Sequence, residues 1–140
     1  MTAAQLHSVR NAHAGASSRN VHRGLMSYHA GLAAEDMIAR DYTRRAHRIV
    51  AQRWRGRGGE IDLIVQDENG IVFVEVKQSR DFDTALSHVR PAQVQRLYAA
   101  GEEFLATRPD GSLTDVRFDL ALVNGSGAVQ ILQNAFGALF

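Results

Sequence analysis

Two short apolar segments enclose a turn near the middle of this chain of 140 residues. Residues 61–65 and 71–77 are rich in Ile, Val and Phe, which favour β-strands. Residues 67–70, which separate them, read Asp-Glu-Asn-Gly and end in the dipeptide most typical of a tight hairpin turn. The pattern therefore predicts two antiparallel strands joined at Asn69-Gly70, and the fold must accommodate this hairpin.

Helical and extended patterns surround the hairpin. Apolar residues recur at helical spacing in two segments, and Pro91 suits the first position of the second helix, where its missing N–H is no loss. The other predicted elements are helices over 25–42 and 91–107, strands over 46–54, 116–123 and 128–132, and a loop over 78–89. This order, αβββαββ, predicts one α/β domain over residues 24–140, in which helices flank a mixed sheet.

The first 23 residues differ from the rest in composition. They contain no acidic residue, three arginines and few large apolar side chains, which are too few to bury a helix face. We therefore expect a disordered basic arm over residues 1–23. The same composition also suits an arm that contacts nucleic acid or a targeting segment, so the role of these residues stays open.

Composition and missing motifs exclude several classes of function. Zero cysteines exclude disulfides, thiolate zinc sites and a cysteine nucleophile. No apolar run approaches the ~18 residues that a membrane helix needs. No GxxxxGK[ST], HExxH or GxSxG motif supports an ATPase, a zinc protease or a serine hydrolase. We expect a water-soluble cytoplasmic protein with no membrane partner.

Carboxylates occupy positions where the periodicity predicts the core. Glu35 lies at the centre of the apolar stripe of the first helix and should point inward. In the hairpin, successive side chains point to opposite faces of a strand, so Asp62 lies on the face opposite to the apolar face of its strand. Glu75 and Lys77 share one face of the next strand. If the strands pair around the Asn-Gly turn, Asp62 and Glu75 become near neighbours with a two-residue stagger. Three carboxylates and a lysine could therefore converge.

Such a cluster has a chemical preference. Carboxylates this close repel one another and raise each other's pKa unless a cation neutralises them. Oxygen ligands without cysteine or clustered histidine suit a hard divalent cation, Mg²⁺ or Mn²⁺. Lys77 is the only lysine among sixteen basic residues. Its ammonium group is a compact point charge beside Glu75, unlike the planar, forked guanidinium of an arginine.

The same residues also fit a less specific interpretation. Glu60, Asp62, Glu75 and Lys77 could form the solvated face of an amphipathic hairpin with ordinary cross-strand ion pairs. Glu35 could likewise be a surface residue. The residues alone leave both interpretations open.

A basic segment precedes the hairpin. Seven arginines lie between positions 40 and 57, against one acidic residue. Arg53, Trp54, Arg55 and Arg57 adjoin a glycine-rich turn and suit contacts with nucleic-acid phosphates, with one ring available for stacking on a base. The alternative is a solvated basic turn in which Trp54 is buried in the core.

Three sequence blocks carry a family resemblance. They are Gly31-x-x-Ala34-Glu35, Gly59-Glu60-Ile61-Asp62-Leu63-Ile64 and Phe73-Val74-Glu75-Val76-Lys77. Further agreement comes from Arg53-Trp54-Arg55, Arg117-Phe118-Asp119 and Asn134-Ala135-Phe136. Through these blocks, residues 24–136 resemble the YraN family of bacterial proteins, uncharacterised relatives of archaeal Holliday junction resolvases.

The resemblance implies a restriction-endonuclease-like fold with an αβββαβ core and the nuclease signature D-x(n)-[DE]-x-K. The signature would be Asp62, Glu75 and Lys77, with Glu35 as the carboxylate of the first helix. It implies a nuclease for structured or branched DNA, in which Asp62 and Glu75, with the Val76 carbonyl, hold Mg²⁺ or Mn²⁺. Glu35 would bind a second ion or orient its water shell. Lys77 would position the attacking water or offset charge in the transition state. Resolvase-like nucleases also imply a two-fold homodimer.

Two positions depart from the pattern of these nucleases. Ile61 stands where a proline is often found, and Gln93 stands where many family members carry a lysine. The first departure matters little because metal binding needs the carboxylate, whereas the second removes a phosphate contact. The alternative function is a nucleic-acid-binding or adaptor module that keeps the fold and the acidic pocket but has little catalytic competence.

Overall fold

The structure is a computed structural model that describes residues 14–111 and 114–136. The elements in chain order are α1 (Ala14–Arg44), β1 (Arg48–Arg55), β2 (Glu60–Gln66), β3 (Ile71–Gln78), α2 (Phe82–Ser87), α3 (Pro91–Ala106), β4 (Val116–Val123) and β5 (Val129–Leu132). None of the helices in the described ranges combines the length and apolar character that a membrane crossing requires.

The chain divides between Leu32 and Ala33 into two compact units. The described part of the first unit is the N-terminal portion of α1, and the second unit contains the sheet, α2, α3 and the rest of α1. Helix α1 begins at Ala14, so the prediction that a helix starts only at residue 25, after a disordered arm, is wrong for residues 14–23. Alanine and arginine favour helices without supplying the apolar stripe on which the prediction relied. Residues 1–13 of the predicted arm lie outside the described residues.

The sheet has five strands in the order β1-β2-β3-β4-β5. The first three form an antiparallel meander, β3 pairs with β4 in parallel, and β5 returns antiparallel to β4. Because parallel neighbours need a long crossover, α2 and α3 lie between β3 and β4 in the sequence. The predicted α/β class with a mixed sheet flanked by helices is confirmed, and the arrangement is consistent with a restriction-endonuclease-like core.

Both faces of the sheet are covered by apolar residues. On one face, α1 packs on side chains of the three central strands, among them Leu63, Val74 and Ala121. On the other face, α3 packs on a second core that includes Phe73, which is completely buried. The sequence predicted only one core face for β3. Strands that are buried on both faces read as continuous apolar runs, so alternation alone could not reveal the second core.

The turn between β2 and β3 corrects the predicted hairpin. Gln66 pairs with Ile71, and Asp67 N donates to Gly70 O at 3.1 Å, so the loop has four residues instead of two. The Asp67 carboxylate accepts hydrogen bonds from the amides of Asn69 (2.8 Å) and Gly70 (3.0 Å). This side-chain turn replaces the tight Asn-Gly turn and sets the register of the two strands.

Two other segments are informative. Residues 78–89, predicted as a loop, contain the short helix α2, whose first turn is capped by the Asp81 side chain accepting from Thr84 N at 2.7 Å. A helix of six residues is too short for periodicity to reveal. Helix α3 begins at Pro91, as predicted.

One carboxylate is completely buried. Asp119 of β4 accepts hydrogen bonds from Tyr42 Oη (2.7 Å), Arg117 Nε (2.8 Å) and the backbone N–H of Asn134 (3.0 Å). A buried charge needs such partners because its desolvation is costly. The network ties α1, β4 and the segment after β5 together.

Candidate functional site

The carboxylates of β2 and β3 meet at the end of their shared ladder. Leu63 pairs with Val74, so the next position in the same register places Asp62 opposite Glu75. The predicted two-residue stagger is therefore absent, because the loop has four residues. Asp62 Oδ2 accepts a hydrogen bond from Val76 N at 2.8 Å, which fixes this carboxylate against β3.

Glu75 is held by a lysine and an amide. Lys77 Nζ lies 3.2 Å from Glu75 Oε1, and Gln93 Nε2 of α3 donates to the same oxygen at 3.3 Å. Glu75 is only 8% exposed. The structure thus brings Asp62, Glu75 and Lys77 together, and it adds Gln93 from the crossover helix.

The regular alternation of β2 breaks at Asp62. Ile61 belongs to the core under α3, whereas Leu63 belongs to the core under α1, although residues two apart normally share a face. Arg53 lies opposite Asp62, because its neighbours in β1 pair with the neighbours of Asp62 in β2. The φ of Arg53 is +52°. A positive φ at a non-glycine residue is costly and often marks a functional site.

Asp62 and Glu75 open onto a cleft of about 250 Å³. The cleft is lined by Gly59, Glu60, Asp62, Glu75, Gln93, Arg96 and Leu97. Its walls therefore come from the end of the β2–β3 ladder, the loop before β2 and one side of α3. This arrangement leaves room for a ligand to reach the buried Glu75 and the partly buried Asp62.

Burial disfavours the charged forms of both acids. Burial, together with the neighbouring charge of Glu75, raises the pKa of Asp62 from its ordinary 3.8 to about 8. Burial also raises the pKa of Glu75, although the Lys77 ammonium opposes that shift. Because the two carboxyls interact, they titrate as a pair, and full ionisation near neutral pH calls for an additional positive charge.

The carboxylate of Glu35 forms an ion pair with Arg53. Arg53 Nε donates to Glu35 Oε2 at 2.8 Å, and both side chains are partly buried. The negative charge of Glu35 raises the pKa of Asp62 and of Glu75, so it lies within electrostatic range of both. Within residues 14–111 and 114–136, however, no three acidic or histidine side chains are arranged as ligands of one metal ion. The role predicted for Glu35 at the metal therefore stays a prediction.

The basic segment is largely committed to contacts within the protein. Trp54 is partly buried and packs edge to face on Phe104 at the margin of the core, with ring centroids 5.6 Å apart, so the buried alternative is met in part. Arg55 donates to Glu60 at 3.2 Å, and Arg53 binds Glu35. Of the four predicted nucleic-acid contacts, Arg57 has an exposed side chain and, among the described residues, no ion pair.

The glycine-rich loop after β1 is anchored to α3 by hydrogen bonds. The Glu103 carboxylate of α3 accepts from Arg57 N at 2.7 Å and from Gly58 N at 2.6 Å. A Cβ at Gly58 would lie 2.9 Å from Ala99 Cβ, so the loop backbone approaches α3 too closely for any side chain. The loop is therefore held at a fixed position beside the cleft.

Sequence reasoning missed the contribution of α3 to the site. The sequence marks Gln93 only as a departure from a family pattern, and it gives Arg96 and Glu103 no predicted role. The spacing of these residues could have indicated that they share one side of α3. Gln93 and Arg96 lie one helical turn apart, Glu103 follows two turns later, and all three lie beside the apolar stripe of the helix. Gln93 and Arg96 lie in the same cleft as Asp62 because the crossover between β3 and β4 carries α3 over this face of the sheet.

Comparisons with known proteins identify similar sequences over most of this chain. The sequence profile of the uncharacterised protein family UPF0102 matches residues 34–123. A UPF0102 protein of Roseobacter denitrificans is 51% identical over 119 residues, which cover 85% of this chain and 92% of that protein. A UPF0102 protein of Ruegeria pomeroyi is 55% identical over 115 residues, covering 82% and 94%. One from Cereibacter sphaeroides is 46% identical over 115 residues, covering 82% and 98%.

Proposed function

Because this chain belongs to UPF0102, the YraN family, whose function is uncharacterised, we propose its activity from the site itself: metal-dependent hydrolysis of phosphodiester bonds in structured or branched DNA. One observation carries the proposal. Asp62, Glu75 and Lys77 are adjacent and partly or fully buried, yet the cleft that Asp62 and Glu75 line has room for a ligand. Two desolvated carboxylates beside an ammonium suit the chemistry of a phosphate ester.

The donor set fits a hard divalent cation. Asp62 and Glu75 supply carboxylate oxygens in one cleft, and burial raises the pKa of both, so a nearby cation would favour their ionised forms. Mg²⁺ typically binds through one or two carboxylates and retains waters or substrate phosphates as its other ligands. Asp62 and Glu75 would therefore hold Mg²⁺ or Mn²⁺, with the Val76 carbonyl as a further oxygen. The bound ion would act as a Lewis acid and lower the pKa of a coordinated water.

Lys77 and Gln93 are the other groups placed to act on the reacting phosphate. Lys77 Nζ already lies 3.2 Å from Glu75, so its ammonium is directed towards the carboxylate pair. There it can donate a hydrogen bond to the attacking water or offset negative charge that develops in the transition state. Gln93 restrains the Glu75 side chain by donating to Oε1. Gln93 is thus a positioning residue.

The preference for DNA depends on charge next to the cleft and on the resemblance to resolvases. Arg57 projects from the loop that adjoins β2, and its side chain is exposed. Exposed arginines beside a phosphodiester site suit contacts with the backbone of a nucleic acid. The preference for branched or otherwise structured DNA comes from the resemblance alone, and the homodimer that the resemblance implies belongs to the same proposal.

A second candidate function is a nucleic-acid-binding or adaptor module with little catalytic competence. The observation that favours it is the Arg53–Glu35 ion pair, which withholds the third carboxylate from the site. With two carboxylates and no helix carboxylate, the site would bind a cation and a phosphate without organising the attacking water efficiently.

A cleavage screen distinguishes these two functions. Full-length protein is incubated with labelled four-way junctions, flaps, single strands and duplexes in Mg²⁺, Mn²⁺ or EDTA. The proposal expects cleavage of at least one substrate in either metal, no cleavage in EDTA and none by Asp62→Asn. Wild-type protein that binds these DNAs but cuts none of them in either metal would favour the adaptor function.

A further inference from the structure

The basic residues around the cleft differ in whether a carboxylate already neutralises them. Three are paired within 3.2 Å: Lys77 with Glu75, Arg53 with Glu35 and Arg55 with Glu60. Arg96 of α3 lines the cleft, is exposed and, among the described residues, forms no ion pair. Arg96 is therefore an uncompensated cation in a cleft whose other charged lining groups are acids.

The backbone of Arg96 is fixed in place by the neighbouring loop. A Cβ at Gly59 would lie 3.0 Å from Arg96 O and 3.2 Å from Arg96 Cβ, so the loop backbone rests directly on this turn of α3. The Glu103 carboxylate anchors the same loop two helical turns further along α3. On the other side, Gln93 lies one turn before Arg96 and contacts Glu75. The base of the Arg96 side chain is thus set relative to the carboxylate pair.

We propose that Arg96 binds a backbone phosphate of a nucleic acid next to the Asp62–Glu75 pair. This inference rests on the proposed function, and it assigns a phosphate contact that the sequence placed elsewhere, in the segment 53–57. An anionic substrate must approach carboxylates that repel it, so a cation in the same cleft is needed to hold it there. A guanidinium suits this task because its fork can bind two phosphate oxygens at once.

Salt-dependent binding tests the assignment. All proteins carry Asp62→Asn, which prevents cleavage and removes one acid from the cleft, and binding to a labelled four-way junction and a matched duplex is measured by anisotropy in Mg²⁺. Adding Arg96→Gln should weaken binding to both DNAs and reduce the magnitude of the log K against log salt slope on the duplex by about 0.9. Arg96→Lys should retain the slope and lose part of the affinity. Arg40→Gln is the matched control, because Arg40 is exposed on α1, which covers the other face of the sheet.

The outcomes separate this inference from the proposed function. If Arg96→Gln and Arg40→Gln change affinity and slope equally, the assignment of Arg96 is wrong even when wild-type protein cleaves DNA. If wild-type protein cleaves nothing while Arg96→Gln alone flattens the slope, the phosphate contact stands and the nuclease function fails. If Asp62→Asn protein binds neither DNA, the contact is refuted, and the cleavage screen with wild type decides the function independently.

Discussion

Arg53 Nε lies 2.8 Å from Glu35 Oε2, which joins the helix carboxylate to the strand residue that faces Asp62. Arg53 has a φ of +52°, so the backbone is strained where it makes this contact. The charge of Glu35 raises the pKa of both Asp62 and Glu75, whereas its side chain contacts Arg53. A metal ligand would instead have to contact the ion directly.

Substituting Glu35 tests that distinction. Glu35→Gln should lower the free energy of unfolding by about 0.5–1.5 kcal/mol, because it removes a partly buried ion pair. We expect Mg²⁺ at ~10 mM to raise the melting temperature of wild type, and Glu35→Gln should keep that rise, since a ligand stabilises the protein through the groups that bind it. Asp62→Asn combined with Glu75→Gln should abolish that rise. A Glu35→Gln protein that no longer responds to metal would show that Glu35 is a metal ligand after all.

The raised pKa values predict an unusual dependence of stability on pH. Asp62 has a pKa of about 8 in the folded protein against 3.8 in its ordinary state, so the folded protein binds the proton more tightly. The stabilisation from this proton is complete below pH ~4 and is lost as the pH rises through about 8. Glu75 shifts in the same direction. In EDTA, stability should therefore fall as the pH rises across this window.

The measurement is urea unfolding in EDTA at several pH values, with Asp62→Asn as the comparison because other groups also titrate. Wild type should lose stability relative to Asp62→Asn between about pH 5 and pH 8, by at most ~1.4 kcal/mol per pH unit for one proton. Parallel curves for the two proteins would mean that Asp62 is solvated and ionised throughout, as in the amphipathic-hairpin interpretation.

Substituting Lys77 tests whether this residue contributes to the chemical step or to DNA binding. Lys77→Ala should reduce the rate of metal-dependent cleavage by about 10²–10⁴-fold while DNA binding weakens much less, because only interactions that strengthen in the transition state change the chemical step. Single-turnover cleavage and anisotropy on the same substrate measure the two effects. Equal losses in rate and affinity would instead make Lys77 a binding residue.

The buried Asp119 network gives a prediction that concerns stability alone. Tyr42→Phe removes the hydroxyl that donates to Asp119 at 2.7 Å and leaves the remaining donors in place. We expect a loss of about 1–3 kcal/mol in urea unfolding, with no change in metal response or DNA binding. A change in the metal response would show that this network is coupled to the Asp62 cleft.

The central part of the site could be predicted because it depends on local rules. Antiparallel pairing and the two-residue period were enough to place Asp62 near Glu75 and Lys77. The stagger was wrong because the Asp67 side chain organises a longer turn than the Asn-Gly dipeptide suggested. The apolar stripe also correctly directed Glu35 inward.

The remaining features depend on contacts between distant segments. Arg53 meets Glu35 from a position where its backbone adopts a positive φ, which no sequence pattern for arginine predicts. Gln93 and Arg96 reach the cleft only because β3 and β4 are parallel, which requires the crossover to carry α3 over that face. Helical spacing places these polar residues beside the apolar stripe of α3 but does not show what they face.

The arginine loop gives the last prediction. Two independent phosphate contacts at Arg55 and Arg57 would reduce the magnitude of the salt slope on duplex DNA by about 1.8 when both are replaced by alanine. Arg55 is paired with Glu60, however, whereas Arg57 is exposed and its backbone is anchored by Glu103. Arg57→Ala alone should therefore reduce the slope by about 0.9, and Arg55→Ala by clearly less.

The comparison requires titrations of DNA binding at several salt concentrations for both single variants and the double variant. Glu103→Gln is a further test, because the amide offers one oxygen where the carboxylate accepts two N–H groups, and a loosened loop should lower affinity while the Arg57 charge and its contribution to the slope remain. Equal slope changes for Arg55→Ala and Arg57→Ala would show that the Arg55–Glu60 ion pair opens when DNA binds. No change for either variant would place the phosphate contacts outside this loop and leave Arg96 as the cation that meets the DNA.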